Sequence, residues 1–220
     1  MRLGPLTALT LVAACAGTPE PSVVSATQDG LHPGPWTDLF DGQGLGTLVS
    51  ISFGGEGEVR VEDGALILPF GSPLTGVTYP GAFPTRDYEL ECRAARLSGS
   101  DFFCGLTFPV QDQHATLVLG GWGGTLTGLS CVDGEDASNN PTRRFVHFET
   151  GRDYRLRIRV AGGNLRCFLE DELIVDLVLD DHEFSLRPEV ELTRPLGLST
   201  FLTTGRVSAL RYRRLKPDPE

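Results

Sequence analysis

The residues best suited to ligand chemistry lie within positions 120–142. This stretch joins Trp122, framed as Gly-Gly-Trp-Gly-Gly, to a loop rich in carboxylates and amides. A ring with little neighbouring side chain can stack on a pyranose, while oxygen and nitrogen groups bond its hydroxyls. The polar candidates in and just after the loop are Asp133, Glu135, Asp136, Asn139, Asn140 and Arg143. The segment therefore predicts a carbohydrate-binding site.

Other interpretations of this segment stay open. The glycines could make room for a core tryptophan on a crowded sheet, and the loop could be an ordinary turn whose Asn and Asp side chains cap backbone groups. The loop oxygens could instead bind calcium, although their spacing differs from that of an EF-hand. The four histidines lack the spacing of a zinc site, so beyond calcium we expect no metal or other cofactor.

Hydrolysis of a glycosidic bond generally needs two carboxyl groups, roughly 5 to 9.5 Å apart. Asp133 and Asp136 could form that pair, so we predict them as the catalytic residues. Glu89 and Glu91 are a second candidate pair, because alternate residues of a strand share a face. Alternatively, these two glutamates occupy a solvated outer face and pair with the arginines of another strand, Arg155, Arg157 and Arg159.

Apolar and polar residues alternate along much of the chain, which is the pattern of an all-β sandwich. After the alternating residues 154–160, Gly162 and Gly163 predict a hairpin turn into the next strand. Glu189 and Glu191 lie in one predicted strand and raise the same two alternatives as the glutamates above. Strands are predicted at residues 57–61, 64–69, 88–94, 101–108, 115–120, 125–132, 154–160, 165–170, 173–179, 189–193, 196–203 and 206–215.

The N-terminus has the pattern of a lipoprotein signal. Arg2 precedes an apolar run, and small residues lead into Cys15, which we predict as the site of lipid attachment. The alternative is an ordinary secretory signal. We expect residues 1–14 to be a signal peptide, 15–34 a flexible tether, 35–215 one folded domain and 216–220 a tail. The protein would then lie in the cell envelope, on its periplasmic or outer-surface side.

Charge and cysteine usage narrow the partners. With 29 acidic and 19 basic residues the formal charge is -10, which disfavours nucleic acid as a ligand. We expect contact with the membrane only through the lipid, and a monomeric protein. Four cysteines fall on apolar strand faces, where two disulfides or four buried thiols are both reasonable: Cys92, Cys104, Cys131 and Cys167.

Several pieces of the chain, in a consistent order, resemble the 3-keto-disaccharide hydrolase family. They are residues 36–45, 61–66, 88–90, 151–158 with the hairpin that follows to Asp176, and 210–215. The resemblance implies a concanavalin-like jelly roll of two curved antiparallel sheets, secreted by bacteria and associated with the breakdown of glycans or modified glucosides. The arginine and glutamate that this family is expected to place on the concave face are not evident in residues 100–119. The chain therefore looks like a divergent member.

The leading functional hypothesis is an envelope hydrolase acting on a glycoside or a 3-keto-glycoside. A non-catalytic, lectin-like carbohydrate-binding domain is the alternative, and a structural or adhesive surface domain is a third class. Two carboxyl groups facing one groove would favour the enzyme. An exposed aromatic residue without such a pair would favour the binding domain, and a flat polar face would favour the third class.

Overall fold

The computed structural model describes residues 30–217, so the predicted signal peptide, the lipid-attachment residue Cys15 and most of the predicted tether lie outside the described residues. Within the described part, sixteen strands and two short 3-10 helices account for the regular structure. The strands are β1 (Leu31–Pro33), β2 (Thr37–Asp38), β3 (Val49–Ser50), β4 (Arg60–Glu62), β5 (Ala65–Leu68), β6 (Leu74–Tyr79), β7 (Tyr88–Gly99), β8 (Cys104–Val110), β9 (Gln113–Gly121), β10 (Leu126–Ser130), β11 (Arg144–Phe145), β12 (Tyr154–Ala161), β13 (Asn164–Leu169), β14 (Glu172–Val178), β15 (Leu196–Phe201) and β16 (Thr203–Pro217). The 3-10 helices are Leu179–Asp181 and Pro188–Thr193.

The strands form two antiparallel sheets. The first has the order β14-β13-β12-β7-β16-β5-β4, with β1 and β2 also paired to β16. The second has the order β11-β10-β9-β8-β15-β6-β3. Neighbouring strands are often distant in sequence, as for β7 with β16 and β8 with β15. The predicted all-β sandwich is confirmed.

Alternation along the strands supplies the core between the sheets. On β7 the side chains of Tyr88, Leu90 and Cys92 are fully buried, and on β9 so are Leu117 and Leu119. Each fully buried apolar side chain of this size stabilises the folded state by roughly 1.5 to 3 kcal/mol. The predicted hairpin is also present, since β12 and β13 pair across Gly162 and Gly163, both at positive φ.

The four cysteines are free thiols in this structure, and Cys92, Cys104 and Cys167 are buried. Cys92 lies on the first sheet and Cys104 on the second, and a hydrogen bond between them raises the pKa of the Cys92 thiol well above its ordinary value. The pKa of the Cys167 thiol is also raised, in this case by burial. Buried thiols with raised pKa values behave as small apolar side chains.

Local chemistry explains where the strand prediction fails. Residues 189–193, predicted as a strand, belong to the 3-10 helix Pro188–Thr193. Proline fixes φ at the first helical position, and the two buried residues, Val190 and Thr193, are three apart, which is the 3-10 period. Leu192 between them is 57% exposed, as a helix requires and a half-buried strand would not explain.

The ordered structure reaches further at both ends than the predicted limits of 35 and 215. Leu31 in β1 pairs with Pro217 at the end of β16, so part of the predicted tether and tail is paired strand. Composition had favoured a tether because few large apolar residues lie there. The edge of β16 instead supplies backbone partners, which side-chain composition does not reveal.

The outer face of the second sheet is largely covered by residues 183–193, which we call the strap. Its Leu186 and Val190 pack with Leu74 from β6. The strap lies so close that a Cβ on Gly197 would stand 2.5 Å from the Thr193 carbonyl oxygen. Small residues on this outer face are therefore a packing requirement, and they leave the strands of the second sheet buried on both sides.

The outer face of the first sheet is closed by ion pairs. Glu89 is 1% exposed and accepts hydrogen bonds from the guanidinium groups of Arg157, Arg159 and Arg213, at 3.3, 3.0 and 2.7 Å. The Trp36 ring lies over Arg213, 4.4 Å from its guanidinium carbon to the ring centre. The predicted pairing of Glu89 with strand arginines is confirmed, but the face is buried rather than solvated.

Glu91, two residues further along β7, also forms a buried ion pair with an arginine. It is 5% exposed and accepts from Arg211 at 2.6 Å. Arg155, predicted as a partner of the two glutamates, pairs with Asp171 instead. Guanidinium groups therefore occupy both carboxylate oxygens of Glu89 and the Oε1 of Glu91.

We predict that Glu89→Gln lowers the free energy of unfolding by about 3 to 5 kcal/mol, because it leaves buried guanidinium groups without their counter-charge. Glu62→Gln is the matched control, since Glu62 pairs with Arg60 at an exposed position and should cost less than about 1 kcal/mol. Urea denaturation of both variants measures the difference. Equal small losses would contradict the structural role of the buried cluster.

Candidate functional site

A cleft of about 270 Å³ opens on the outer face of the second sheet, beside the strap. Its walls are mostly apolar, with the aromatic side chains Phe102, Trp122 and Phe201 and the aliphatic side chains Leu74, Val118 and Val190. Five polar side chains also line it, namely Asp101, Thr116, Ser130, Arg187 and Glu189. An apolar cleft with a few converging polar groups is the usual form of a small-ligand site.

Trp122 is the exposed aromatic side of this cleft. It lies in the turn between β9 and β10, with 42% of its surface exposed. Phe102 and Phe201 lie further along the wall, and their ring centres are 5.8 Å apart. The sequence left open whether Trp122 is a core side chain or an exposed one. Its exposure and its place on the cleft wall show that it is not a core side chain.

Arg96, on β7 of the first sheet, holds the turn that carries Trp122. The residue is 8% exposed. One guanidinium nitrogen, Nη2, donates to the carbonyl oxygens of Gly120, Gly124 and Asp101, at 3.2, 2.8 and 3.3 Å. Burial lowers the pKa of Arg96 from its ordinary value. The cation is therefore hydrogen-bonded to the backbone on both sides of Trp122, and the charge of Asp101 acts on it without an ion pair.

This contact also explains the glycines around Trp122. A Cβ on Gly120 would stand 2.3 Å from the Nη2 of Arg96, and Gly120, Gly123 and Gly124 all have positive φ. A side chain at these positions would be strained or would displace the guanidinium. Sequence analysis linked the glycines to exposure of the ring, whereas the structure links them to the approach of Arg96.

Asp101 lies next to the same turn. Its carboxylate accepts hydrogen bonds from the backbone N–H of Phe102 at 2.8 Å and from that of Gly123 at 3.3 Å. Gly123 directly follows Trp122, and Asp101 and Trp122 line the same cleft. Within residues 30–217, no ion pair joins Asp101 to a basic side chain.

Arg187 and Glu189 form the opposite wall, where the strap enters its 3-10 helix. The Nη2 of Arg187 donates to Glu189 at 3.0 Å, and its Nη1 donates to Asp136 at 3.4 Å. The hydrogen bond from Arg187 holds the pKa of Glu189 below its ordinary value, so the carboxyl group stays ionised at neutral pH. The same contact raises the pKa of Arg187.

The two predicted catalytic residues, Asp133 and Asp136, contact different partners in the structure. Asp133 accepts from the backbone N–H of Glu183 at 2.8 Å and contacts the Nδ1 of His182 at 2.7 Å. These contacts lower its pKa, with the bond from Glu183 the larger cause. Asp136 accepts from the backbone and hydroxyl of Ser138 at 2.8 and 2.5 Å, and reaches the cleft only through Arg187.

The other predicted binding residues stand as follows. Asn140 is 5% exposed, and its amide bonds the carbonyl of Leu129 and the backbone of Thr142, so it stabilises the turn from inside. Glu135 and Asn139 are exposed on the loop surface. Arg143 donates to the Ser138 carbonyl at 2.8 Å. None of these four lines the cleft, and their contact with a sugar stays a prediction.

Sequence analysis therefore identified Trp122, named Glu189 as one member of an open carboxylate pair and predicted Asp136, which contacts Arg187 of the cleft, but it missed Arg96 and Asp101. Asp101 comes to the turn at 122 through the β8–β9 hairpin, whereas residues 96 and 187–189 come from distant parts of the chain, which no local spacing shows. In the described part of the chain, no group of three or more His, Cys, Asp or Glu side chains is arranged to hold a metal ion. The prediction about calcium stays untested.

No helix in residues 30–217 is long and apolar enough to cross a membrane.

Comparison with solved structures identifies the architecture. A carbohydrate-binding module of the CBM66 type from Bacillus subtilis aligns with 76% of this chain and 95% of its own, at TM-score 0.53 and 11% identity. A Parabacteroides distasonis protein provisionally named a glycosyl hydrolase aligns with 82% of this chain and 94% of its own, at TM-score 0.54 and 10% identity. The domain is a concanavalin-like jelly roll.

A third jelly-roll neighbour is domain 4 of an extracellular arabinanase from Geobacillus stearothermophilus, solved with arabinotriose. It aligns with 83% of each chain at TM-score 0.50 and 15% identity. No protein-family model matches the sequence, and no curated protein matches it either, so the resemblance to 3-keto-disaccharide hydrolases is not confirmed. At these identities the neighbours establish the fold alone.

We predict that Arg96→Met lowers the free energy of unfolding by about 2 kcal/mol, because Nη2 has two hydrogens to donate to these carbonyl groups and each lost hydrogen bond is worth about 1 kcal/mol. It should also loosen the Trp122 turn. In a Trp36→Phe background, quenching of Trp122 fluorescence by acrylamide should increase, while Arg152→Met, which removes an exposed arginine paired with Glu149, should change neither quantity. Unchanged quenching in Arg96→Met would contradict the role given to Arg96.

Proposed function

We propose that this domain binds carbohydrate in the cleft beside Trp122. The observation that carries the proposal is the exposed indole, fixed by Arg96 at the mouth of an apolar cleft whose polar groups can bond hydroxyls. A flat ring stacks on the apolar face of a pyranose, and carboxylates, hydroxyls and a guanidinium beside it orient the sugar. The volume of about 270 Å³ suits one or two sugar units.

The structural neighbours support this choice among possible ligands. One is by name a carbohydrate-binding module, and another was solved with arabinotriose. The fold does not by itself determine function, so the argument rests on the cleft and its aromatic wall. The neighbours make carbohydrate the first class of ligand to test.

A binding role fits Glu189 better than the role of a general acid. A glycosidase needs a general acid, and such a carboxyl group normally has a raised pKa so that it carries a proton near neutral pH. The hydrogen bond from Arg187 lowers the pKa of Glu189 instead. An ionised Glu189 can accept hydrogen bonds from sugar hydroxyls but has no proton to donate.

In the cell, we place this binding domain at the envelope of a bacterium, held to the membrane by a lipid on Cys15. The support is the signal-like sequence of residues 1–14, and the negative charge of the chain fits an uncharged or cationic partner better than a polyanion. A lipid-tethered binding domain would hold a glycan close to the cell surface.

We predict that Trp122→Ala weakens the binding of every glycan that the protein recognises by about 30-fold in Kd, which corresponds to about 2 kcal/mol for a central aromatic contact. Because 42% of the Trp122 surface is exposed, the variant should lose little folding stability. Phe145→Ala is the matched control, because Phe145 is 72% exposed and lies outside the cleft. A glycan array followed by calorimetric titration of the best ligand measures the effect. Equal affinities for the native protein and Trp122→Ala would contradict this site.

Hydrolysis of a glycoside or 3-keto-glycoside is the second candidate function. It is favoured by one observation: Asp101 and Glu189, two carboxyl groups, line the same cleft. The test is incubation with disaccharides and their 3-keto forms, followed by product analysis. Turnover abolished by both Asp101→Asn and Glu189→Gln would establish this function, whereas turnover lost only in Asp133→Asn and Asp136→Asn would return catalysis to the loop. Absence of turnover with retained binding is the result we expect.

A further inference from the structure

The cleft combines an aromatic wall with carboxylates that differ in their partners. Glu189 is paired with Arg187, and Arg187 is also held by Asp136, so the guanidinium charge is offset from two sides. Within residues 30–217, the Asp101 carboxylate accepts hydrogen bonds from the two backbone N–H groups of Phe102 and Gly123, and it interacts with the charge of Arg96 without forming an ion pair. A carboxylate has about four acceptor positions, so Asp101 retains capacity for a further donor.

The position of Asp101 relative to Trp122 is the deciding feature. Its Oδ2 contacts the backbone N–H of Gly123, the residue after Trp122, and both side chains line the cleft. An ammonium group is attracted both to a carboxylate and to the face of an indole ring, and these attractions are strongest where water is excluded. One protonated amine at this end of the cleft could contact both groups.

The floor of the cleft supplies a second and independent indication of a ligand with polar groups. Ser130 is 2% exposed and lines the cleft. Its hydroxyl contacts the sulfur of Cys131 at 3.7 Å, and sulfur is a weak hydrogen-bond partner. Thr116, also 2% exposed and lining the cleft, bonds Thr107 at 2.8 Å. A buried hydroxyl without a strong partner costs free energy until a ligand satisfies it.

We propose that the cleft recognises an amino sugar, whose protonated amine lies between Trp122 and Asp101 while its ring stacks on the indole and a hydroxyl reaches Ser130. This inference rests on the proposed carbohydrate-binding function and specifies the class of sugar. A primary ammonium fits better than a quaternary one, because it donates hydrogen bonds to the carboxylate. The acidic character of the whole chain, at formal charge -10, also favours the approach of a cation.

Three trisaccharides with the same β-1,4 glucose backbone provide the test, because they differ only at carbon 2. The glucosamine trimer carries an ammonium there, the N-acetylglucosamine trimer a neutral amide and cellotriose a hydroxyl. Calorimetric titration of the native domain near pH 6 at low salt should give a Kd about tenfold lower for the glucosamine trimer than for cellotriose. The preference should shrink with added salt and as the pH rises and the amine loses its proton.

Charge-removing variants show whether the cleft causes the preference. Asp101→Asn keeps an oxygen that can accept from the backbone and should reduce the ratio of the two affinities towards one, and Glu189→Gln should reduce it in part. Glu191→Gln is the matched control. Glu191 lies in the same 3-10 helix and pairs with Arg194 at 2.8 Å but does not line the cleft, so the same loss of charge there should leave the ratio unchanged.

The outcomes separate this inference from the proposed function. Binding of cellotriose, or of another neutral glycan on the array, with equal or weaker binding of the glucosamine trimer would overturn the amino-sugar inference and leave the carbohydrate-binding function intact. A preference that persists in Asp101→Asn would also overturn it. Absence of binding to any glycan on the array would overturn both.

Discussion

The site depends on one buried cation. Arg96 belongs to the first sheet, but its guanidinium donates to the backbone of two turns at the end of the second, one containing Asp101 and the other Trp122. Because no ion pair joins Arg96 to a carboxylate within residues 30–217, its buried guanidinium depends on these carbonyl groups, which accept from Nη2, while its buried Nε has no hydrogen-bond partner there. The glycines of the Trp122 turn follow from this requirement, because a side chain at Gly120 would collide with the cation.

Both outer faces of the sandwich are largely closed, and this determines where a ligand can bind. On the first sheet, Glu89 and its arginines fill the surface with ion pairs that leave the carboxylate 1% exposed. On the second, the strap of residues 183–193 covers small side chains and is anchored by Leu186 and Val190. The cleft is the space between the edge of the strap and the turn at Trp122, so the strap both limits the site and supplies Arg187 and Glu189 to it.

More of the fold than of the candidate site could be predicted from the sequence. Alternation is a local property, so strands such as β7 and β12 and the hairpin at Gly162 could be read directly. Strand β6 was missed because Pro73 and Gly76 interrupt its apolar pattern, and residues 189–193 were misassigned because an alternating sequence after Pro188 folds into a 3-10 helix. For the site, spacing revealed Trp122 but not Arg96, which approaches the Trp122 turn from a strand of the other sheet.

The central claim is that a ligand binds at Trp122, and the two tryptophans of the chain allow a direct test. Trp36 lies over Arg211 and Arg213 on the first sheet, away from the cleft, and serves as an internal reference. In ¹H–¹⁵N spectra of the labelled domain, each indole N–H gives its own resonance. Titration with the best glycan of the array should shift the Trp122 indole resonance in a saturable way and leave that of Trp36 in place. A saturable shift at Trp36 alone, or no shift at either indole at saturating glycan, would contradict the account.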